Sequence, residues 1–232
     1  MIRAVTFDCF GTLIDWRLGQ RRVLEQFPSL RGNEDRIDEI IAARGPIERD
    51  LETGVWRRYE EILAESVAEA VRRVCGIELT PTEQRAFAAG QLGWPAFPDA
   101  PAALAELAAE LPVGLLSNCD DVTLRLCAHK HLRVPIAVFV SAERARSYKP
   151  APRHWRLALD DLGLEPAEVL HVSFAADYDL EPAAAQGFVL GFVGRYGTEP
   201  PAGLDFAFTA GDLPELVRQI LPKLAPPPGS QS

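Results

Sequence analysis

The chain is short of the residues that mark several function classes. Its four cysteines, Cys9, Cys75, Cys119 and Cys127, show no CxxC spacing. They fit neither a zinc site nor a disulfide framework, and reduced thiols in a cytoplasmic protein are the expectation. No apolar run reaches the length of a membrane span. The opening MIRAVTF lacks the charged and then apolar organisation of a secretory leader, and Asp8 interrupts it. Positive charge is scarce: 24 Lys and Arg stand against 33 Asp and Glu, a formal net charge of −9. Nucleic acid and anionic membrane surfaces are therefore not expected partners, and a small anionic substrate needs a local Arg or Lys to overcome the overall repulsion. No glycines follow GxGxxG or the Walker spacing, so no nucleotide cradle is indicated. There is no internal repeat, and the only biased stretch is the proline- and serine-bearing tail from residue 225, which is expected to be disordered.

What is present suffices for an ordinary globular enzyme. Of 232 residues, 47% are hydrophobic, enough for a real core in one large or two small domains. The stretch that organises the chain is residues 4–16, AVTFDCFGTLIDW. A short apolar run with β character meets Asp8 and then bends at Gly11-Thr12, where glycine accepts a positive φ without strain. Asp8 should thus stand at the carboxyl end of a buried strand, the edge at which open α/β sheets bind ligands. The plain alternative is an Asp that caps a turn.

Further along, helical periodicity predicts helices over 17–27, 35–51, 56–75 and 80–92, with a kink or break after Gly45 because Pro46 follows. No strand pattern falls between residues 15 and 92, so that block reads as a helical insertion. Residues 93–98 and 14–17 read as the two struts of a hinge. After residue 100 the texture alternates. Strands are expected at 113–116, 137–140, 169–172, 189–193 and 206–208, separated by helices over 102–110, 122–131, 153–162, 180–186 and 213–221. That alternation implies a parallel sheet covered on both faces.

Four features fall at strand ends: Asp8 with Thr12, Ser117-Asn118, Lys149, and the acidic loop carrying Asp177 and Asp179. Taken singly, each has a structural reading: Thr12 bonds the turn, Ser117-Asn118 cap a helix, Lys149 is solvated. A parallel sheet puts all carboxyl ends on one side, so together they suit nucleophilic catalysis by an Asp. His129 and His131 read as a solvated helix end, His154 as exposed and His171 as structural. Trp16, Trp56, Tyr59 and Trp94 suit either a cleft lining or packing across the hinge.

These residues resemble the haloacid dehalogenase-like superfamily. The motifs are FDxxGTL at 7–13, LLSN at 115–118, SYKP at 147–150 and HVxxxxxxDxxxAxxxGF at 171–188. The resemblance implies an α/β fold with a Rossmann-like parallel sheet core, residues 1–14 and 95–224, and a helical cap, residues 15–94, inserted after the first strand. FDCFGTLIDW looks like the 2-haloacid dehalogenase branch, in which the Asp attacks carbon. Phosphatases of the superfamily carry a second Asp two places on, where this chain has Phe10, and an acid early in the last loop, where it has Phe174. Halide leaves without a proton and tolerates Phe10.

The resemblance assigns Asp8 as nucleophile, Lys149 as the cation that stabilises it, and Asp179 as the group that orients or activates water, with Asp177 as the alternative base. Thr12 and Ser117 would bond substrate or Asp8, and Asn118 would lie beside the halide. The backbone after Asp8, at Cys9 and Phe10, would help hold the substrate. A cap arginine would bind the substrate carboxylate, with Arg44 the nearest match by position against Arg49 or Arg57. Trp155 stands where relatives have a Tyr. No cofactor is implied, with Mg²⁺ reserved for the alternative of a small-molecule phosphatase. The remaining alternatives are a non-catalytic relative that binds a small molecule or a partner, and a hydrolase of another small carboxylate. An apolar stripe on the insertion would suit a homodimer.

Overall fold

The computed structural model describes residues 1–224, so the expected disordered tail lies outside the described residues. Six strands form one parallel sheet: β1 Ala4–Asp8, β2 Val113–Ser117, β3 Val138–Ser141, β4 Val169–Ser173, β5 Val189–Val193 and β6 Phe208–Ala210. Their spatial order is β3-β2-β1-β4-β5-β6. All residues of β1, β2 and β4 are buried, as expected for central strands with both faces covered. In register, Phe7 stands between Leu115 of β2 and Val172 of β4. The order runs outward in opposite directions from β1, so Asp8 occupies the point where the topology switches.

The helices in chain order are α1 Trp16–Leu24, α2 Ile37–Glu52, α3 Tyr59–Cys75, α4 Pro81–Gly90, α5 Ala100–Glu110, α6 Asp121–Cys127, α7 Ala142–Ala145, α8 Arg153–Leu162, α9 Glu181–Ala185 and α10 Leu213–Ile220. The first four form a helical block between β1 and α5. Buried Ile40, Ile47, Ile62, Leu63, Val67 and Val71 supply its interior. Thr80 and Glu83 cap α4 reciprocally, and Gly76 ends α3 in the left-handed conformation.

Two short backbone connections join the block to the sheet. Asp15 N–H donates to Pro95 O at 2.8 Å, and Phe97 N–H donates to Leu13 O at 2.9 Å. Gly11, at φ +103°, makes the turn out of β1. A Cβ there would come within 2.3 Å of Phe174 Cε1, so glycine is required by contact as well as by conformation.

Three expectations are corrected. Pro46 does not break α2, which runs without interruption from Ile37 to Glu52. Pro46 and Ala42 lie on an exposed face, where the carbonyl that loses its helical donor is open to water. The last strand is Phe208–Ala210 rather than 206–208, because pairing with β5 begins at Gly191 opposite Phe208, while Phe206 packs on Phe192 at a ring separation of 6.0 Å. His154 is fully buried, not exposed, since α8 turns His154, Trp155 and Ala158 together toward the interior.

Candidate active site

β1 delivers Asp8 to the sheet's carboxyl edge, and the Gly11 turn brings Thr12 back over it. Thr12 Oγ1 donates to Asp8 Oδ2 at 2.9 Å and accepts the Phe174 N–H at 3.3 Å. Lys149 enters from the loop before α8. Its Nζ lies 3.2 Å from Asp8 Oδ1 and 2.6 Å from Asp179 Oδ1, and it donates to Leu116 O at 2.8 Å. Asp179 Oδ2 is 3.2 Å from His171 Nε2, and His171 Nδ1 bonds Thr6 Oγ1 at 2.9 Å. The side chains of Lys149 and Asp179 are 0% exposed and that of Asp8 only 5%, so these charges answer one another rather than water.

The electrostatics are asymmetric. Burial would raise the Asp179 carboxyl, but Lys149 and His171 outweigh it and hold Asp179 well below the usual carboxylate range. Burial dominates at Asp8 and, with the Asp179 charge, lifts its carboxyl above the ordinary value against the pull of Lys149. Burial would lower the Lys149 ammonium, yet Asp179 and Asp8 together carry it upward. One cation therefore serves two carboxylates. The shorter bond goes to Asp179, which leaves Asp8 the more basic of the two.

Asp8 faces a cavity of about 1250 Å³ between the sheet edge and the helical block. Phe10, Ser117, Asn118 and Lys149 line it on the sheet side. Trp16, Gln20, Arg44, Glu48, Arg49, Glu52, Trp56, Tyr59 and Trp94 line it on the other. Phe10 stands edge-on to Trp94 at 5.7 Å between ring centroids. Asn118 clamps the lysine's backbone: its Oδ1 accepts Lys149 N–H at 2.7 Å, and its Nδ2 donates to Lys149 O at 3.3 Å. Trp155, buried, lies 5.8 Å from Lys149 Nζ and packs behind the lysine rather than lining the cavity.

The structure separates some residues that the sequence grouped. Cys9 is fully buried in the core and does not line the cavity. Successive residues alternate faces at a strand end, so Asp8 toward the cavity sends Cys9 away from it. Burial also pushes its thiol well up, against any thiolate role. Thr12 is likewise off the cavity and touches Asp8, not a substrate position. Asp177 is exposed at the rim, and its Oδ1 accepts the adjacent Tyr178 N–H at 3.0 Å, apart from the Asp8–Lys149 pair.

Arg44 lines the cavity but is already engaged. Its Nη2 is 2.7 Å from Glu48 Oε2, Nε donates to Gln20 Oε1 at 3.0 Å, and Nη1 donates to Ser66 Oγ at 3.2 Å. Glu48 also accepts the Tyr59 hydroxyl. Arg57 pairs with Glu65 outside the cavity. Arg49 lines the cavity, exposed and without a carboxylate partner among the described residues. Glu48 and Glu52 escaped the sequence reading, although their spacing of four and eight residues from Arg44 puts all three on one stripe of α2.

The donor set does not suit a divalent cation. Among the described residues no three His, Cys, Asp or Glu side chains gather in a metal-holding group. Lys149 Nζ stands between Asp8 and Asp179, and Phe10 and Phe174 offer no oxygen where one would be needed.

Comparisons with known proteins point to one family. A family model of haloacid dehalogenase-like hydrolases matches residues 2–187. The curated (S)-2-haloacid dehalogenase 4A of Burkholderia cepacia is 31% identical over 212 residues, 86% of this chain and 86% of that protein. The (S)-2-haloacid dehalogenase of Xanthobacter autotrophicus is 29% identical over 203 residues, 86% of this chain and 78% of its own. A solved L-2-haloacid dehalogenase superposes with a TM-score of 0.77 at 26% identity, over 95% of this chain and 99% of that one.

Proposed function

The chain belongs to the haloacid dehalogenase-like hydrolases, and we propose that within that family it hydrolyses a short 2-haloacid to the 2-hydroxyacid through an ester formed on Asp8. The observation that carries this reading is the pair at the cavity floor: Asp8 Oδ1 held 3.2 Å from a buried lysine, with Phe10 two residues on. An attack on phosphorus would need a cation and a proton-transferring acid beside the nucleophile. An attack on carbon with halide departing needs neither.

Asp8 displaces halide from C2 with inversion. The carboxylate oxygen forms the new C–O bond as the C–halogen bond breaks and its electron pair leaves with the halide. Closing the cavity against water strips hydration from a carboxylate that is otherwise a weak nucleophile. The helical block acts as the cap that does so. Water then attacks Cγ of Asp8. Lys149 Nζ stabilises the oxyanion, the 2-hydroxyacid departs with an Asp8 oxygen, and the surplus proton goes to solvent. Asp179 acts by fixing Lys149 in its charged form, and Asn118 acts by fixing its backbone. Ser117, buried at the cavity edge, supplies a hydroxyl toward the substrate. Arg49 offers the planar fork for the substrate carboxylate, since Arg44 is held by Glu48, Gln20 and Ser66.

The test is halide release from (S)-2-chloropropionate with and without a chelator. Release that persists in chelator supports the reading. Phosphate-ester hydrolysis abolished by chelator, with no halide release, contradicts it.

A further inference from the structure

Beneath the reactive cluster lies a histidine that the reaction above does not use. In the parallel pairing of β1 with β4, His171 stands opposite Thr6, and Thr6 shares its sheet face with Asp8 two residues on. Thr6, His171 and Asp179 are all 0% exposed. His171 Nδ1 is 2.9 Å from Thr6 Oγ1, and its Nε2 is 3.2 Å from Asp179 Oδ2. The other oxygen, Asp179 Oδ1, is 2.6 Å from Lys149 Nζ. The imidazole does not line the cavity, and Trp155 and Phe188 hold it edge-on at 5.9 and 6.2 Å between ring centroids.

A carboxylate only accepts, so the ring nitrogen that faces Asp179 is the one that carries the proton. In the neutral ring Nδ1 then accepts from the Thr6 hydroxyl. Each imidazole nitrogen has one partner, and the two Asp179 oxygens have separate ones. Lys149 therefore answers only one of them. Its three donors go one each to Asp179, Asp8 and the Leu116 carbonyl. Among the described residues only Lys149 and His171 lie within ion-pair distance of Asp179.

We infer that His171 is a positioning residue of the reaction: by donating to the second oxygen of Asp179 it holds that carboxylate in place, and so keeps Lys149 divided between Asp179 and Asp8. The inference rests on the ester mechanism at Asp8. Burial raises the Asp179 carboxyl, and Lys149 first and then His171 outweigh it. The other titratable groups around Asp179 and His171 are Asp8, the Tyr178 hydroxyl kept neutral by burial, and His154 on α8, pushed down to about 3 by burial. Without His171, Lys149 alone opposes burial, so Asp179 takes up a proton at higher pH. Its neutral form gives Lys149 over to Asp8, which makes the nucleophile less basic.

The experiment measures chloride release from (S)-2-chloropropionate across pH in the native chain, His171→Phe and His171→Gln, with Tm alongside. Phenylalanine keeps the ring's bulk and offers no donor. Glutamine brings an amide N–H close to the place of Nε2. For phenylalanine the expected result is a fall of about tenfold in kcat at neutral pH with KM unchanged, and an acid limb of the kcat profile about one pH unit higher than in the native chain. Glutamine should return the limb to its native place and restore most of the rate. A histidine that only fills space predicts a lower Tm with the profile unmoved. An unmoved acid limb in folded His171→Phe, or a glutamine variant no nearer the native profile than the phenylalanine one, overturns the proposal and leaves the Asp8 mechanism standing. No chloride release from the native chain overturns both. Should His171→Phe not fold, Thr6→Val decides, since it removes the hydroxyl partner of Nδ1 at nearly constant shape. The acid limb should then move the same way by a lesser amount, and an unmoved limb overturns the proposal.

Discussion

Two buried ion clusters face each other across the cavity, and they are built on opposite plans. On the sheet side one cation, Lys149, is divided between Asp8 and Asp179 at 3.2 and 2.6 Å. On the helical side one cation, Arg44, is answered in full by Glu48, Gln20 and Ser66. The first plan leaves a carboxylate incompletely neutralised, raised in basicity and open to the cavity. The second gives each guanidinium nitrogen a partner, and its product is a fixed wall. On the proposed mechanism the network whose cation is shared does the chemistry, and the one whose cation is partnered at every nitrogen holds the wall.

The comparison can be broken most forcefully at Asp8. Asp8→Asn removes the nucleophile while keeping its size, and turnover should fall about a thousandfold or more with the circular dichroism unchanged. Substantial retained turnover by the stable variant would mean that the sheet-side cluster is structural too.

The next effect separates the two arginines. Arg44→Met leaves the half-buried Glu48 without its cation, and the expected loss of stability is about 3 kcal/mol, read as a lowered Tm. Arg49→Met should raise KM about tenfold with little change in Tm, because an exposed guanidinium contributes little to folding. The reverse pattern, a KM effect at Arg44 and a Tm effect at Arg49, would make the saturated cluster the substrate site.

The smallest effect is on acid stability. The Asp179 carboxyl is held below its unfolded value, so the stability it contributes is present above the unfolded value of about 3.9 and is lost as pH falls below it. The native chain should keep this contribution between pH 7 and 5 and lose it progressively below about pH 4. Asp179→Asn should lower stability at pH 7 and flatten the acid limb of the unfolding curve. An unchanged acid limb in that variant would show that Lys149 does not hold Asp179 as the geometry implies.

The same contrast explains what the sequence made legible. Asp8, Lys149 and Asp179 were found because a parallel sheet sends every strand end to one side, so residues far apart in the chain share an edge by topology alone. The Gly11 turn and the parallel architecture followed from local pattern. Arg44 could not be told from Arg49 in the sequence because its partners come from three helices: Gln20 on α1, Glu48 on α2 and Ser66 on α3. Helical periodicity names a face but not what packs against it. Cys9 was misplaced by its adjacency to Asp8, although neighbours at a strand end point apart. His154 was read as exposed because one helix position decides its burial, and α8 turns that position inward against the sheet.

The ester route and direct attack by water differ in where the oxygen of water goes, and one turnover in heavy-oxygen water reads it directly. With enzyme in excess over (S)-2-chloropropionate, mass analysis of the peptide containing Asp8 should show one heavy oxygen, and the lactate released should carry the ordinary isotope. Heavy oxygen in the lactate, with none in the Asp8 peptide, would mean that water attacks the substrate carbon itself.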